Sequence, residues 1–226
     1  MQHQITYSNS SPHTLLLYFT GWGTTPEVVT NLGLPQGWEQ CSFWDYKDVS
    51  ALYLPDIELS RYNSIYLVAW SMGVWAADLL APHLPRISKA VAINGTPLPM
   101  HDLYGIPTPI FEKTLSGLDD DNRARFDRRM CGGKKLLAVY NSFSARSTED
   151  LRSELTGVYE AVRALPDGSP PQLSWDLAYV SERDLIVPPS NQLRYWNKHN
   201  VTTEVLPGLG HYPIYEFHSW QELLKL

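Results

Sequence analysis

The sequence predicts an α/β protein: a mostly parallel sheet with helices on both faces, three layers in all. Apolar runs of strand length recur at 14–20, 64–70 and 88–94, then at 173–180 and 201–206, with segments of helical character between them. The first three are apolar almost throughout rather than alternating, as in strands covered on both sides. A chain of 226 residues, 43% hydrophobic and 19% charged, is expected to form one domain around one core.

The elements follow in order. Residues 14–20 end in Gly21-Trp22-Gly23, where two glycines permit a tight turn. Thr25 and Pro26 then read as an N-cap and first helical residue, opening a helix to about residue 34. Residues 41–46 make a second strand, with a loop and a short helix before the next. Strand 64–70 becomes a helix over 72–80 within two residues, and Pro82 and Pro85 bracket its end. Strand 88–94 closes at Gly95-Thr96-Pro97. From 97 to about 171 the composition turns polar and helical, with segments at 109–118, 121–130 and 148–165. Such an insertion between sheet strands reads as a lid, and the turn from Asp167 to Pro171 returns the chain to the sheet. A strand at 173–180, a helix at about 190–198 and a strand at 201–206 follow; the loop at 207–213 opens a final helix to residue 226.

Composition removes several function classes. The net charge of −6 and the lack of a basic recognition motif argue against nucleic-acid binding. No apolar run approaches the roughly 20 residues needed to cross a bilayer. The first residues have neither a charged nor an apolar export region, so the expected address is the cytoplasm. Two cysteines give no metal or redox spacing; Cys41 reads as a packing residue and Cys131 as a surface thiol. No cluster of His, Asp, Glu and Cys has metal-ligand spacing, so metal-assisted hydrolysis is not expected. Oligomeric state is not legible, and a monomer is the simplest expectation.

The chemistry converges on the junction at Ala69-Trp70-Ser71-Met72-Gly73. A strand that turns into a helix this sharply penalises bulk on either side, which places small residues at 69 and 73. Ser71 is left at the tip, beside the positive end of the helix. A serine hydroxyl needs a base within hydrogen-bond reach, and that base needs an orienting partner. His211, in the constrained loop Gly208-Leu209-Gly210, and Asp184, just past a predicted strand end, are the candidates. The remaining histidines lack such a loop. Asp176 falls within the predicted strand and Asp167 within a Gly-Ser-Pro turn, so both compete poorly. The backbone N–H groups of Trp22 and Met72 are placed to form an oxyanion hole. A plain turn with a buried indole is the other reading of Gly-Trp-Gly.

Four stretches together, Leu17-Tyr-Phe-Thr-Gly-Trp-Gly23, Ala69-Trp-Ser-Met-Gly73, Ser181-Glu-Arg-Asp-Leu-Ile-Val-Pro188 and Gly208-Leu-Gly-His211, resemble the α/β-hydrolase superfamily. The chain order Ser71, Asp184, His211 is the order of that superfamily. Within it, the Phe-x-Gly-Trp-Gly and Trp-Ser-x-Gly pairing resembles the BioG family, pimeloyl-[acyl-carrier protein] methyl ester esterases of biotin synthesis. Ala69 stands where the superfamily elbow often has its first glycine, and the lid offers no matching motif.

The resemblance implies a three-layer α/β-hydrolase fold and a cofactor-independent serine esterase. Ser71 would attack the methyl ester, His211 would move the proton, and Asp184 would hold the imidazole. Trp22 is the one aromatic nominated to face substrate. An acyl carrier protein is the implied partner, and Arg123, Arg125, Arg128 and Arg129 would dock it. They belong to a run of six basic residues and one acid between 123 and 135. A solvated helix face balanced by Asp119, Asp120 and Asp121 reads equally well. A generic carboxylesterase or thioesterase, and a non-catalytic hydrolase-like binding protein, remain the alternative functions.

Overall fold

A computed structural model describes residues 1–226 apart from 8–10, 49–54, 56 and 166–170. Seven strands form one sheet: β1 (Gln2–Tyr7), β2 (Thr14–Phe19), β3 (Trp38–Trp44), β4 (Ser64–Trp70), β5 (Lys89–Ile93), β6 (Leu177–Ser181) and β7 (Thr202–Leu206). The order across it is β1-β3-β2-β4-β5-β6-β7, parallel except for β1 against β3. The fold class is α/β, as the apolar runs predict.

Alternation along each central strand builds two cores. Leu15, Leu17, Phe19, Leu67, Ala69, Ala90 and Ala92 face one side of the sheet. Leu16, Tyr18, Val68, Trp70, Val91 and Ile93 face the other. Each fully buried aliphatic side chain here contributes about 1.5–3 kcal/mol relative to exposure. Helices α1 (Met72–Leu80), α6 (Pro189–Lys198) and α7 (Trp220–Leu224) lie between or after strands. Four more fall between β5 and β6: α2 (Thr108–Ser116), α3 (Asp120–Cys131), α4 (Lys134–Tyr140) and α5 (Thr148–Ala164).

Several expectations are corrected. The helix expected over 25–34 is only a 3₁₀ turn, Pro26–Val29. The β-branched run Val28-Val29-Thr30 has poor helix propensity, and Asn31 instead donates to the carbonyls of Ile214 and Phe217. The strand expected at 173–180 begins at Leu177. Before it, Asp78 of α1 accepts hydrogen bonds from the N–H groups of Gln172 and Leu173 and from the Trp175 indole, which holds that segment off the sheet. Asp176 therefore precedes the strand, where it accepts the N–H of Ala90. The final helix is only α7, capped by Ser219, after a 3₁₀ turn at Ile214–Glu216. Strand β1 and helix α4 carry no sequence expectation. The Asp167 turn lies outside the described residues, apart from Pro171.

Cys131 is buried rather than exposed. Burial, reinforced by the nearby charge of Asp127, pushes its thiol up to about 12. Cys41 is buried in the sheet core.

Candidate active site

The carboxyl ends of β2, β4, β5 and β6 converge on Ser71. Ser71 has φ 55° and ψ −121°, the strained backbone of a strand that turns directly into a helix. Its N–H donates to Ile93 O at 2.8 Å, so β5 holds the strained residue in place. Gly73 lies against β2: a Cβ there would stand 2.4 Å from Phe19 O and 2.5 Å from Thr20 O. This close approach, inferred from spacing alone, is what position 73 cannot give up.

Asp184, His211 and Ser71 form a hydrogen-bonded chain. His211 Nδ1 is 2.8 Å from Asp184 Oδ2, and His211 Nε2 is 2.8 Å from Ser71 Oγ. Asp184 also accepts the N–H groups of Ile186 at 2.8 Å and Val187 at 3.0 Å, and the Gln192 amide at 2.9 Å. An ionised carboxylate only accepts, so Nδ1 carries the imidazole proton and Nε2 presents its lone pair to the Ser71 hydroxyl. Both Asp184 (4%) and His211 (2%) are shielded from water, which strengthens the pair.

The loop carrying His211 is held by residues that sequence reasoning missed. Asn94, at φ 45°, donates to His211 O at 3.0 Å, Gly210 O at 3.2 Å and Ser181 Oγ at 2.8 Å. Its side-chain oxygen accepts the Ser181 N–H at 2.7 Å. The Trp70 indole donates to the same His211 carbonyl at 2.8 Å. Tyr212 N–H donates to Met130 O of α3 at 3.1 Å. The one local signal for Asn94 is an Asn before Gly at a strand end, which reads as an ordinary turn.

Gly21 and Trp22 run beside the serine; a Cβ on Gly21 would stand 3.3 Å from Ser71 Cβ. Among the described residues, no backbone carbonyl accepts the Trp22 N–H. Met72 is the first residue of α1, so its N–H has no acceptor within the helix. Two donors are thus available near the hydroxyl. The Trp22 indole is buried (8%) and donates to Leu151 O at 3.0 Å, while its ring meets Phe126 edge-on at 5.0 Å. It is both a buried indole and part of the cleft wall.

That cleft opens to solvent and is lined by both Ser71 and His211. Its walls are mostly apolar, including Ile106, Ile110, Phe111, Met130 and Leu155, and Arg129 stands among them. A groove between α2 and α3 shares Ile110, Phe126 and Arg129 with it and carries Lys113, Arg125 and Arg128. Arg125, Arg128 and Arg129 are exposed. Arg123 departs from this surface: its side chain is 18% exposed and donates to Arg146 O at 2.6 Å. Among the described residues, no group of three or more His, Cys, Asp and Glu side chains is arranged to hold a metal ion. No helix among them is long and apolar enough to cross a membrane.

A family model described as pimeloyl-ACP methyl esterase BioG matches residues 2–223. The crystal structure of BioG from Haemophilus influenzae is 36% identical, covers 99% of this chain and 100% of its own, and superposes with a TM-score of 0.88. A malonyl-[acyl-carrier protein] O-methyltransferase of Bacteroides fragilis is 40% identical over 187 residues; the match covers 81% of this chain and 36% of that protein. This chain therefore spans about a third of that longer relative. A lipase-esterase related protein from Clostridium acetobutylicum is 14% identical with a TM-score of 0.64 over 94% of this chain and 93% of its own, a likeness of fold alone.

Proposed function

This chain belongs to the BioG family of α/β-hydrolases, and from that premise we propose that it hydrolyses the methyl ester of a pimeloyl group held on acyl carrier protein. The products are methanol and the carrier-bound pimeloyl carboxylate, an intermediate of biotin synthesis. The observation that carries this reading is the Asp184–His211–Ser71 chain on an apolar cleft that adjoins a groove lined by basic side chains.

Ser71 Oγ attacks the ester carbonyl while His211 Nε2 takes its proton. The Trp22 and Met72 N–H groups receive the negative oxygen of the tetrahedral intermediate. His211 returns the proton to the leaving methoxide, and methanol departs. Water, deprotonated by His211, attacks the acyl-serine, and the proton then passes back to Ser71 Oγ. Asp184 stabilises the imidazolium formed in each half-reaction.

The substrate class follows from the surroundings. An apolar cleft suits a methylene chain. Arg125, Arg128 and Arg129 in the adjoining groove suit an acidic carrier, whereas Arg123 is turned inward and has no place in that contact. The Bacteroides relative is named for adding a methyl group to a carrier-bound acid, and a methyl ester on a carrier is the bond proposed to break here. This enzyme would work in the cytoplasm, where the carrier resides.

The test is turnover of methyl-pimeloyl-carrier protein against free methyl esters of the same chain length. A kcat/KM at least about 100-fold higher for the carrier-bound ester supports the proposal. Equal values for both would leave a generic carboxylesterase.

A further inference from the structure

An oxyanion hole works only if its donors are already aimed at the developing charge. Met72 is aimed by α1. The loop holding Trp22 has no such helix, so its restraints must come from elsewhere. Within the loop, Gly21 O accepts the Thr24 hydroxyl at 2.7 Å. Across it, Gly23 N–H donates to Glu154 Oε2 at 3.2 Å, and the Trp22 indole donates to Leu151 O at 3.0 Å. Both outside acceptors belong to α5, more than 120 residues along the chain.

Glu154 is fully buried and saturated with donors. Its Oε1 accepts the N–H of Tyr46 at 3.0 Å, and its Oε2 also accepts Arg146 Nη1 at 2.6 Å. Both oxygens face N–H donors, one of them on the Arg146 guanidinium, an arrangement that favours the carboxylate form. Arg146 is braced in turn by Asp45 at 3.2 Å and Asp150 at 2.7 Å. Gly157, one turn further along α5, lies against the Lys47 carbonyl, where a Cβ would stand at 2.0 Å. The helix is thus seated on the end of β3 with its carboxylate under the loop. Burial holds the Glu154 carboxyl above its ordinary value, and the Arg146 guanidinium and the Tyr46 N–H offset only part of that rise. A buried ion pair is a poor way to glue two elements together, because desolvation offsets much of its attraction. An apolar side chain could fill this site, but it could not accept the Gly23 N–H.

We propose that Glu154 is a positioning residue: its carboxylate, braced by Arg146, fixes Gly23 and so aims the Trp22 N–H at the substrate oxyanion. This rests on the reading of Ser71 as nucleophile and adds a residue to it. The Trp22–Gly23 peptide is pinned by Glu154 on one side of Trp22, and Gly21 is pinned by Thr24 on the other. Releasing Gly23 frees the backbone dihedrals of Trp22. A displacement of about an ångström there is enough to lose most of the donor's effect.

Two variants separate aiming from gluing. Glu154→Gln keeps the shape but turns an N–H group toward one of the backbone donors. Glu154→Asp keeps the charge for Arg146 but draws the oxygen away from Gly23. Both are measured on methyl-pimeloyl-carrier protein and on p-nitrophenyl butyrate, with thermal unfolding alongside. Affinity for an alkyl trifluoromethyl ketone, which forms an oxyanion adduct on serine, is measured in parallel. Loss of an oxyanion donor lowers kcat by about 10²–10³-fold, so a misaimed one should cost roughly 10–100-fold. The expected result is that loss in kcat on both esters, KM within about twofold, ketone affinity weakened by the same factor, and an unchanged acid limb of the pH profile. Wild-type kcat in either folded variant overturns the proposal, as does a loss of kcat without weaker ketone binding. Should Glu154→Gln fail to fold, Glu154→Asp decides the question alone. Ser71→Ala is the control: if it retains turnover, the nucleophile reading itself fails. If it is inert while the Glu154 variants are normal, only this inference is lost.

Discussion

Ser71 is held at φ 55°, a backbone state that costs a non-glycine residue about 1–3 kcal/mol. The bond from its N–H to Ile93 O and the close seating of Gly73 on β2 hold it there. Neither involves the hydroxyl. Ser71→Ala should therefore lower kcat by roughly 10⁴-fold or more while leaving the unfolding midpoint nearly unchanged. His211→Ala should cost a similar factor, and the double variant hardly more than either, because the two act as one unit. Steady-state kinetics on one preparation of each variant check this, and full additivity of the losses would contradict it. Ser71, Asp184 and His211 were legible because each sits in a short motif whose residue types are restricted by local geometry. Asn94 and Gln192 were not. An asparagine that clamps the histidine loop looks, in sequence, like any asparagine before a glycine. Only the return of β6 and the loop at 208–211 gives it partners.

At the scale of elements, the joint between α5 and the end of β3 is ionic at both its rim and its centre. Asp150, at the rim, meets Arg146 at 2.7 Å and Lys47 at 2.9 Å. Arg146 first, then Lys47, hold its carboxyl below the ordinary carboxylate value. A depressed pKa stabilises the fold above the unfolded value, about 3.9, and that contribution disappears as the pH falls through the folded value. Asp150 is about one-third exposed, so screening limits the gain to less than about 1 kcal/mol. Asp150→Asn should therefore destabilise by up to that amount at pH 7 and by measurably less near pH 2.5. Urea unfolding at both values checks it; an equal loss at each pH would remove the ionic explanation. Element boundaries were legible where apolar residues filled a strand or capping residues marked a helix. Strand β1 was not, because five of its six residues lie exposed on an edge and carry no apolar run. The helix expected over 25–34 failed for the opposite reason. Its cap and proline are real local signals, but tertiary bonds from Asn31 and the β-branched run end it after one turn.

On the scale of the whole molecule, charge is unevenly placed. The chain carries −6 overall, yet Lys113, Arg125, Arg128 and Arg129 line the groove beside the cleft. Local reversal of this kind accelerates encounter with an acidic partner and is weakened by salt. Arg125→Glu with Arg128→Glu should lower kcat/KM for the carrier-bound ester by roughly tenfold or more at low ionic strength. At 0.1 M salt, where screening acts within about 10 Å, the gap should narrow. p-Nitrophenyl butyrate does not need the groove, so its turnover should stay within about twofold. An equal loss on both esters would mean that α3 itself had been damaged. Arg123→Glu should behave differently: its side chain ties α3 to the segment before α5, so its first effect should be on stability.

The sequence alone determined the parallel α/β sheet, the serine elbow, and the identities of the three residues that the structure joins by hydrogen bonds. Those features rest on interactions between near neighbours: alternation within a strand, a turn that admits only small residues, a constrained glycine loop. Tertiary structure decided what surrounds them. It buried Cys131, turned Arg123 inward, and set Asn94 beneath the histidine loop. It also brought Glu154 beneath Gly23, across 131 residues of chain. The physical reason is that a hydrogen bond between distant residues leaves no periodicity or spacing in the chain. It depends on where two elements come to rest, and the packing of the whole sheet fixes that.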